Sequence, residues 1–165
     1  MIILGIDPGL ANTGWGVVEV INQRYRPASF GVITTKTDMA LPDRIHSIAS
    51  ECGRIASEYK IHAVSMEEVF FTKNISSALS VAKVIGAICH EMRALSFPVT
   101  MFSPPQIKTA VTGIGTADKN QVQQMVKILL GLDSIPRPDH AADALADCIT
   151  YAVFSSTGAK LRGNK

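Results

Sequence analysis

The sequence predicts a mixed α/β sheet, in which a three-strand antiparallel meander continues into two parallel strands and helices flank the whole. Three observations predict it. Short runs rich in Val, Ile and Thr, separated by Gly, Asn and Pro, open the chain. Beyond residue 40, apolar positions spaced three and four apart alternate with compact apolar runs, which is the signature of helices crossing between parallel strands. The remainder of the chain carries helical signals alone.

Residues 2–7, 14–21 and 28–34 form the expected meander. From Pro42 to Tyr59, Ile45, Ile48, Ala49, Cys52, Ile55 and Ala56 fall on one helical face. His62 to Glu68 reads as a fourth, buried strand, 75–95 as a second long helix, and FPVTMF at 97–102 as the fifth strand. Helices at 105–112 and 118–130 are split by Gly113-Ile114-Gly115, and a last helix runs from Pro138 to about Phe154. The 165 residues fit one domain, expected over 1–156; residues 157–165, which include Lys160, Arg162 and Lys165 without apolar periodicity, are expected to be a disordered basic end.

Composition narrows the classes. Hydrophobic residues at 47% and charged residues at 18% describe an ordinary globular chain, and 16 Lys+Arg against 14 Asp+Glu leave a charge of +2, too small to mark a nucleic-acid binder by itself. Cys52, Cys89 and Cys148 lie in apolar stretches with no paired spacing, so reduced, buried thiols are expected rather than a disulfide framework or zinc ribbon. No run reaches the roughly 20 apolar residues of a membrane span, and the apolar start lacks the basic flank of a signal peptide. No membrane association and a cytoplasmic location are expected.

The acidic residues supply the chemistry. Asp7 ends the first strand, at the strand terminus where open α/β sheets place ligands, although Asp-Pro-Gly is also good turn chemistry. Glu67 and Glu68 end the fourth strand; periodicity does not choose between them, and Glu68 is the better candidate for a solvated neighbour. His140 and Asp143 are three apart on the last helix and share a face. Asp139 reads as a first-turn carboxylate favouring the helix dipole, and Asp147, a turn beyond Asp143, could join the shared face but reads better as a rim charge. Carboxylates and an imidazole gathered at one place repel unless a divalent cation joins them, and this donor set suits Mg²⁺ or Mn²⁺.

LGIDPGLANTGWGVV, MEEVFFTKN, SPPQIKTAVTGIGTADKNQVQQMV and RPDHAADALADCIT, in this order and spacing, resemble the RuvC family of crossover junction endodeoxyribonucleases, the Holliday junction resolvases. The resemblance spans nearly all of the chain except the tail. It implies an RNase H-like fold, a homodimer that cuts four-way DNA junctions, products with a 5′-phosphate and 3′-hydroxyl, and the branch-migration proteins RuvA and RuvB as partners. It also implies a four-residue site, Asp7, Glu67, His140 and Asp143, holding two divalent ions, Mg²⁺ or Mn²⁺. Many family members carry aspartate where this chain has His140, so it resembles the family's histidine variant, and metal preference and pH profile follow that position. Phe70 is implied as a base-stacking wedge beside Lys73, with Lys108 and Lys119 near the cleaved strand. The helix at 75–95, through Ala78, Leu79, Ala82, Ile85, Gly86 and Cys89, is the candidate dimer face.

Other readings meet specific obstacles. Actin-like and sugar-kinase relatives of the fold close a second domain over ATP, for which 165 residues leave no room. A junction binder without cleavage would be indicated by loss of Asp7 or Asp143, and both are present. Nucleases of this fold that process pre-16S rRNA lack the PPQIKTAVTGIGTADK stretch.

Overall fold

The computed structural model describes residues 1–68 and 75–162. Among these residues, one sheet of five strands is formed by β1 (Ile2–Asp7), β2 (Asn12–Ile21), β3 (Arg24–Thr34), β4 (Ala63–Glu67) and β5 (Val99–Phe102). Its order is β3-β2-β1-β4-β5. The β1–β2 and β2–β3 pairs are antiparallel and the β1–β4 and β4–β5 pairs parallel, so the expected meander plus two parallel strands is the observed sheet.

The meander is longer than its apolar runs suggested. Asn22 and Gln23 take positive φ values of 49° and 64°, giving a two-residue turn whose twist matches the flanking strands and leaves both strands room to extend. Pro27, which reads as a separator in sequence, lies within β3. It is tolerated there because β3 is an edge strand and the register shifts between Val17 and Val18 opposite it.

The helices are α1 (Leu41–Glu58), α2 (Ile75–Ala94), α3 (Pro104–Thr112), α4 (Lys119–Leu130) and α5 (Asp139–Arg162). Their ends follow local chemistry. Pro42 opens α1. Asp118 caps α4 by accepting from the Gln121 backbone N–H at 2.9 Å, while the Gln121 side chain accepts from the Asp118 backbone N–H at 2.8 Å. Gly113 (φ 79°) and Gly131 (φ 63°) end α3 and α4 in the left-handed conformation. The last helix does not stop near Phe154 but continues to Arg162, so the expected disordered end is helical backbone as far as that residue; once nucleated, a helix gains a hydrogen bond for each polar residue it adds.

Both sheet faces are covered, which explains the near-continuous apolar runs of β1 and β4. On one face Leu4, Ile6, Val17, Val64 and Met66 pack against Ile48, Cys52 and Ile55 of α1 and Val84, Ile88 and Met92 of α2. On the other, Ile3 and Val18 meet Leu145, Cys148 and Ile149 of α5, with Ile107, Val111, Val122 and Val126 of α3 and α4 packed outside it. Cys52 and Cys148 are buried free thiols and Cys89 is partly buried.

Candidate active site

Strand alternation decides where the acidic residues point. In β1, Ile3 faces α5 while Leu4 and Ile6 face α1 and α2, so Asp7 falls on the α5 side at the strand end. In β4, Val64 and Met66 face α1 and α2, and the Ser65 hydroxyl donates to the Asp147 carbonyl of α5 at 2.8 Å. Glu67 is therefore also on the α5 side, half-buried, whereas Glu68 is exposed. The β1–β4 parallel register sets the two strand ends side by side.

The helix reaches these strand ends because Gly5, Gly14 and Gly16 leave the strands without side chains where it crosses them. A Cβ on Gly5 would lie 1.9 Å from the Ala144 carbonyl oxygen, and one on Gly14 would lie 2.0 Å from the His140 carbonyl oxygen. Alanines 141, 142, 144 and 146 give α5 an equally slim underside, fully buried. His140 and Asp143 consequently sit directly over Asp7.

The resulting constellation is compact. His140 Nδ1 lies 2.6 Å from Asp7 Oδ2, a hydrogen bond between elements 133 positions apart. Ligand atoms of Asp7, His140 and Asp143 all fall within 4.8 Å of one another. Glu67 and Asp143 share the lining of an adjacent cleft of about 210 Å³ with Lys108, Lys119, Ile107 and Val122. Lys119 Nζ is 3.1 Å from Asp143 and 3.5 Å from Asp139, which also pairs with Arg137. Asp139 thus keeps its first-turn position and joins the rim of the site.

Electrostatics bear the mark of crowding. Burial raises the Asp7 carboxyl above its ordinary range, and the nearby Asp143 charge adds to this while the His140 hydrogen bond opposes it. Burial, then the charges of Asp7 and Asp143, push Glu67 up to about 7. Hard carboxylate oxygens with one imidazole, converging within ligand reach, fit a divalent cation. Asp7, His140 and Asp143 would hold it, with Glu67 completing the set from the cleft side.

Asp147 corrects the sequence reading. It is not a rim charge but 1% exposed beneath the cluster, because a helical step of four from Asp143 turns it further toward the sheet. The close-approach glycines also escaped the sequence reading, since the atoms that forbid a Cβ belong to a segment more than 120 residues away. Lys108 and Lys119 do reach the cleft. Phe70 and Lys73 lie outside the described residues.

A five-strand mixed sheet of this order, with carboxylates at the ends of its two central parallel strands and on the helix crossing them, defines a nuclease of the RNase H-like class. The family described as Crossover junction endodeoxyribonuclease RuvC matches residues 3–151, and the chain belongs to that family. Relatives of that name from Desulforamulus reducens and Alkaliphilus oremlandii are 45% and 43% identical, over 95% and 92% of this chain and 96% and 93% of theirs. Among solved structures, Thermus thermophilus RuvC superposes with a TM-score of 0.90 at 34% identity, covering 96% of this chain and 97% of the other. The same protein in complex with a Holliday junction substrate gives 0.88 at 31% identity over the same shares.

Proposed function

We propose that this crossover junction endodeoxyribonuclease resolves four-way DNA junctions by symmetric phosphodiester hydrolysis, with Asp7, Glu67, His140 and Asp143 as its catalytic and metal-holding residues. The observation that carries the reading is the convergence of Asp7, His140 and Asp143 within 4.8 Å, with Glu67 in the adjoining cleft. When bound there, Mg²⁺ or Mn²⁺ ions, two by the family resemblance, would supply an activated water and charge neutralisation for the scissile phosphate. Asp7 would be a ligand shared by the cluster, its carboxylate lying within 4.8 Å of the ligand atoms of both His140 and Asp143. Glu67 and Asp143 would complete the ligand set from the cleft side, and His140 would ligate through its ring or orient the attacking water. The products carry a 5′-phosphate and a 3′-hydroxyl, ends that a ligase can seal.

Lys108 and Lys119 line the cleft and contact backbone phosphates without reading sequence. Phe70 and Lys73 follow Glu67 by three and six positions, placing a stacking ring and a cation beside the site in sequence. Symmetric cutting calls for a C₂ homodimer. On α2, Ala78 and Ile85 turn out to be buried in the protomer's own core, whereas Leu79 is 50% exposed and Ala82 and Gly86 share its outer side. Those three residues form the proposed contact between copies. RuvA and RuvB are the proposed macromolecular partners, and the cytoplasm the proposed location; among the described residues no helix is long and apolar enough to cross a membrane.

The test is incubation with an immobile four-way junction and with plain duplex, in Mg²⁺ and in Mn²⁺. Paired symmetric nicks on the junction alone, lost in Asp143→Asn, support the reading, and comparable cutting of the duplex contradicts it. His140→Asp retaining more activity than His140→Ala supports ligation, and equal loss in both argues against it. Sedimentation of Ala82→Arg as a monomer, beside a dimeric parent, supports the α2 contact.

A further inference from the structure

Two clefts adjoin the Asp7–His140–Asp143 cluster, and the proposed chemistry employs one of them. Asp143 lines the cleft that carries Lys108 and Lys119, whereas His140 lines a second, of about 370 Å³, together with residues 9–12 of the β1–β2 loop, Arg44 of α1, and Ser80 and Val81 of α2. Ligand atoms of the three cluster residues lie within 4.8 Å of one another, so the cluster stands between the two clefts. Their charges differ. The first mixes Glu67 and Asp143 with its lysines; the second has no carboxylate among its described lining residues, and its one permanent cation is Arg44.

Local structure does not account for a cation here. Arg44 is half-buried in the first turn of α1, where the helix dipole disfavours positive charge. Its Nε donates to the Thr35 hydroxyl at 2.9 Å and its Nη2 to the Leu10 carbonyl at 3.3 Å. Both acceptors are uncharged, and among the described residues no carboxylate pairs with the guanidinium and Nη1 has no partner. A neutral donor would serve those two bonds at less cost than a partly desolvated charge. The counter-charge that fits is an anion in the cleft.

The cleft wall is also preformed. The Thr13 hydroxyl donates to the Gly9 carbonyl at 2.6 Å, the Thr35 hydroxyl to the Leu10 carbonyl at 2.5 Å, and the Thr35 backbone N–H to the Ala11 carbonyl at 3.1 Å. Asn12 uses its side-chain oxygen to accept from the Thr34 hydroxyl at 3.3 Å, which leaves its amide group as a second donor.

We propose that this second cleft seats the phosphodiester backbone of the cut strand beside the scissile phosphate, with Arg44 as its phosphate-binding residue, so that the strand runs from the lysine cleft across the cluster into the arginine cleft. This rests on the reading of the chain as a junction-cutting nuclease. A guanidinium fork suits phosphate oxygens, and such contacts fix the register of a strand without reading its bases.

The experiment uses the full chain and a four-way junction without divalent metal, so that binding is read without cutting, and compares the parent with Arg44→Gln and Arg44→Lys over a range of salt. Arg44→Gln should bind about tenfold more weakly at low salt, and its slope of log affinity on log salt should be shallower by about 0.9 for each Arg44 that meets a phosphate. Arg44→Lys keeps the charge and should keep the parental slope. A role confined to holding Thr35 and Leu10 would lower affinity equally at every salt concentration. A parental slope in Arg44→Gln therefore overturns the proposal, whatever that variant's thermal midpoint, and so does an equal loss of slope in Arg44→Lys.

Single neutral methylphosphonates placed along the cut strand supply the reading from the DNA side. One linkage beside the cleavage point should weaken the parent and leave Arg44→Gln unaffected; equal sensitivity of both proteins at every linkage overturns the proposal. Arg44→Gln sedimenting as a monomer beside a dimeric parent would mark the cleft as a contact between copies and overturn it likewise. A parent that binds the junction no better than plain duplex overturns the nuclease reading and this proposal with it, whereas a junction-binding parent whose slope Arg44→Gln shares overturns the proposal alone.

Discussion

The two faces of the sheet are built on opposite terms. Toward α1 and α2, large side chains interlock: Leu4, Ile6, Val64 and Met66 against Ile48, Ile55, Ile88 and Met92. Toward α5 the strands offer Gly5, Gly14 and Gly16, the helix offers alanines, and carboxyl groups sit at the margin and underneath. The first face buries apolar surface, at about 25 cal/mol per Å². The second also buries a core, with Ile3 and Val18 against Leu145 and Ile149, but beneath the site it gives up side chains for proximity, since a helix must come near a strand end for His140 Nδ1 to lie 2.6 Å from Asp7. The chemistry is therefore confined to one face, while the core on the other serves stability alone.

The largest expected effect separates them from the chemical side. Asp143→Asn should lower junction cleavage about a thousandfold, equivalent to about 4 kcal/mol of barrier, while leaving the metal-free thermal midpoint unchanged or higher. A cleavage rate within tenfold of the parent would erase the distinction between the faces. From the other side, Ile88→Ala should cost about 2–5 kcal/mol in denaturant unfolding, with cleavage per folded molecule preserved.

Gly14→Ala should breach the separation. Its new methyl would meet the His140 carbonyl at 2.0 Å, so α5 must move away from the sheet. An overpacking cost of about 1–3 kcal/mol is expected, together with reduced cleavage by the molecules that remain folded. Parental cleavage in a destabilised Gly14→Ala would mean that the close approach serves packing only.

The smallest effect is in pH. Glu67 ordinarily titrates near 4.5 and is raised to about 7 in the folded chain, so the folded state holds more protons than the unfolded one between those values. Stability then falls with rising pH across that window. The metal-free thermal midpoint should decline from about pH 4.5 to about pH 7 with a shallower slope in Glu67→Gln, and Mn²⁺ affinity should rise over the same range. An unchanged slope in the variant would remove Glu67 as its source.

Periodicity made the sheet and both of its flanking layers legible, since strands buried on two faces and amphipathic helices leave unmistakable patterns. Pro27 hid the length of β3 because its tolerance depends on edge position and a register shift, which are properties of pairing. The choice between Glu67 and Glu68 needed the direction of Ser65, and the burial of Asp147 needed the angle at which α5 crosses β4. Asp7, His140 and Asp143 were each ambiguous alone. Their joint order along the chain was not.

Anomalous diffraction from crystals grown with Mn²⁺ tests the central claim most directly. The expected result is manganese bonded to carboxylate oxygens of Asp7 and Asp143, with His140 and Glu67 facing the same ions. Manganese bound only elsewhere, in crystals of protein that cuts junctions when Mn²⁺ is added, would contradict it.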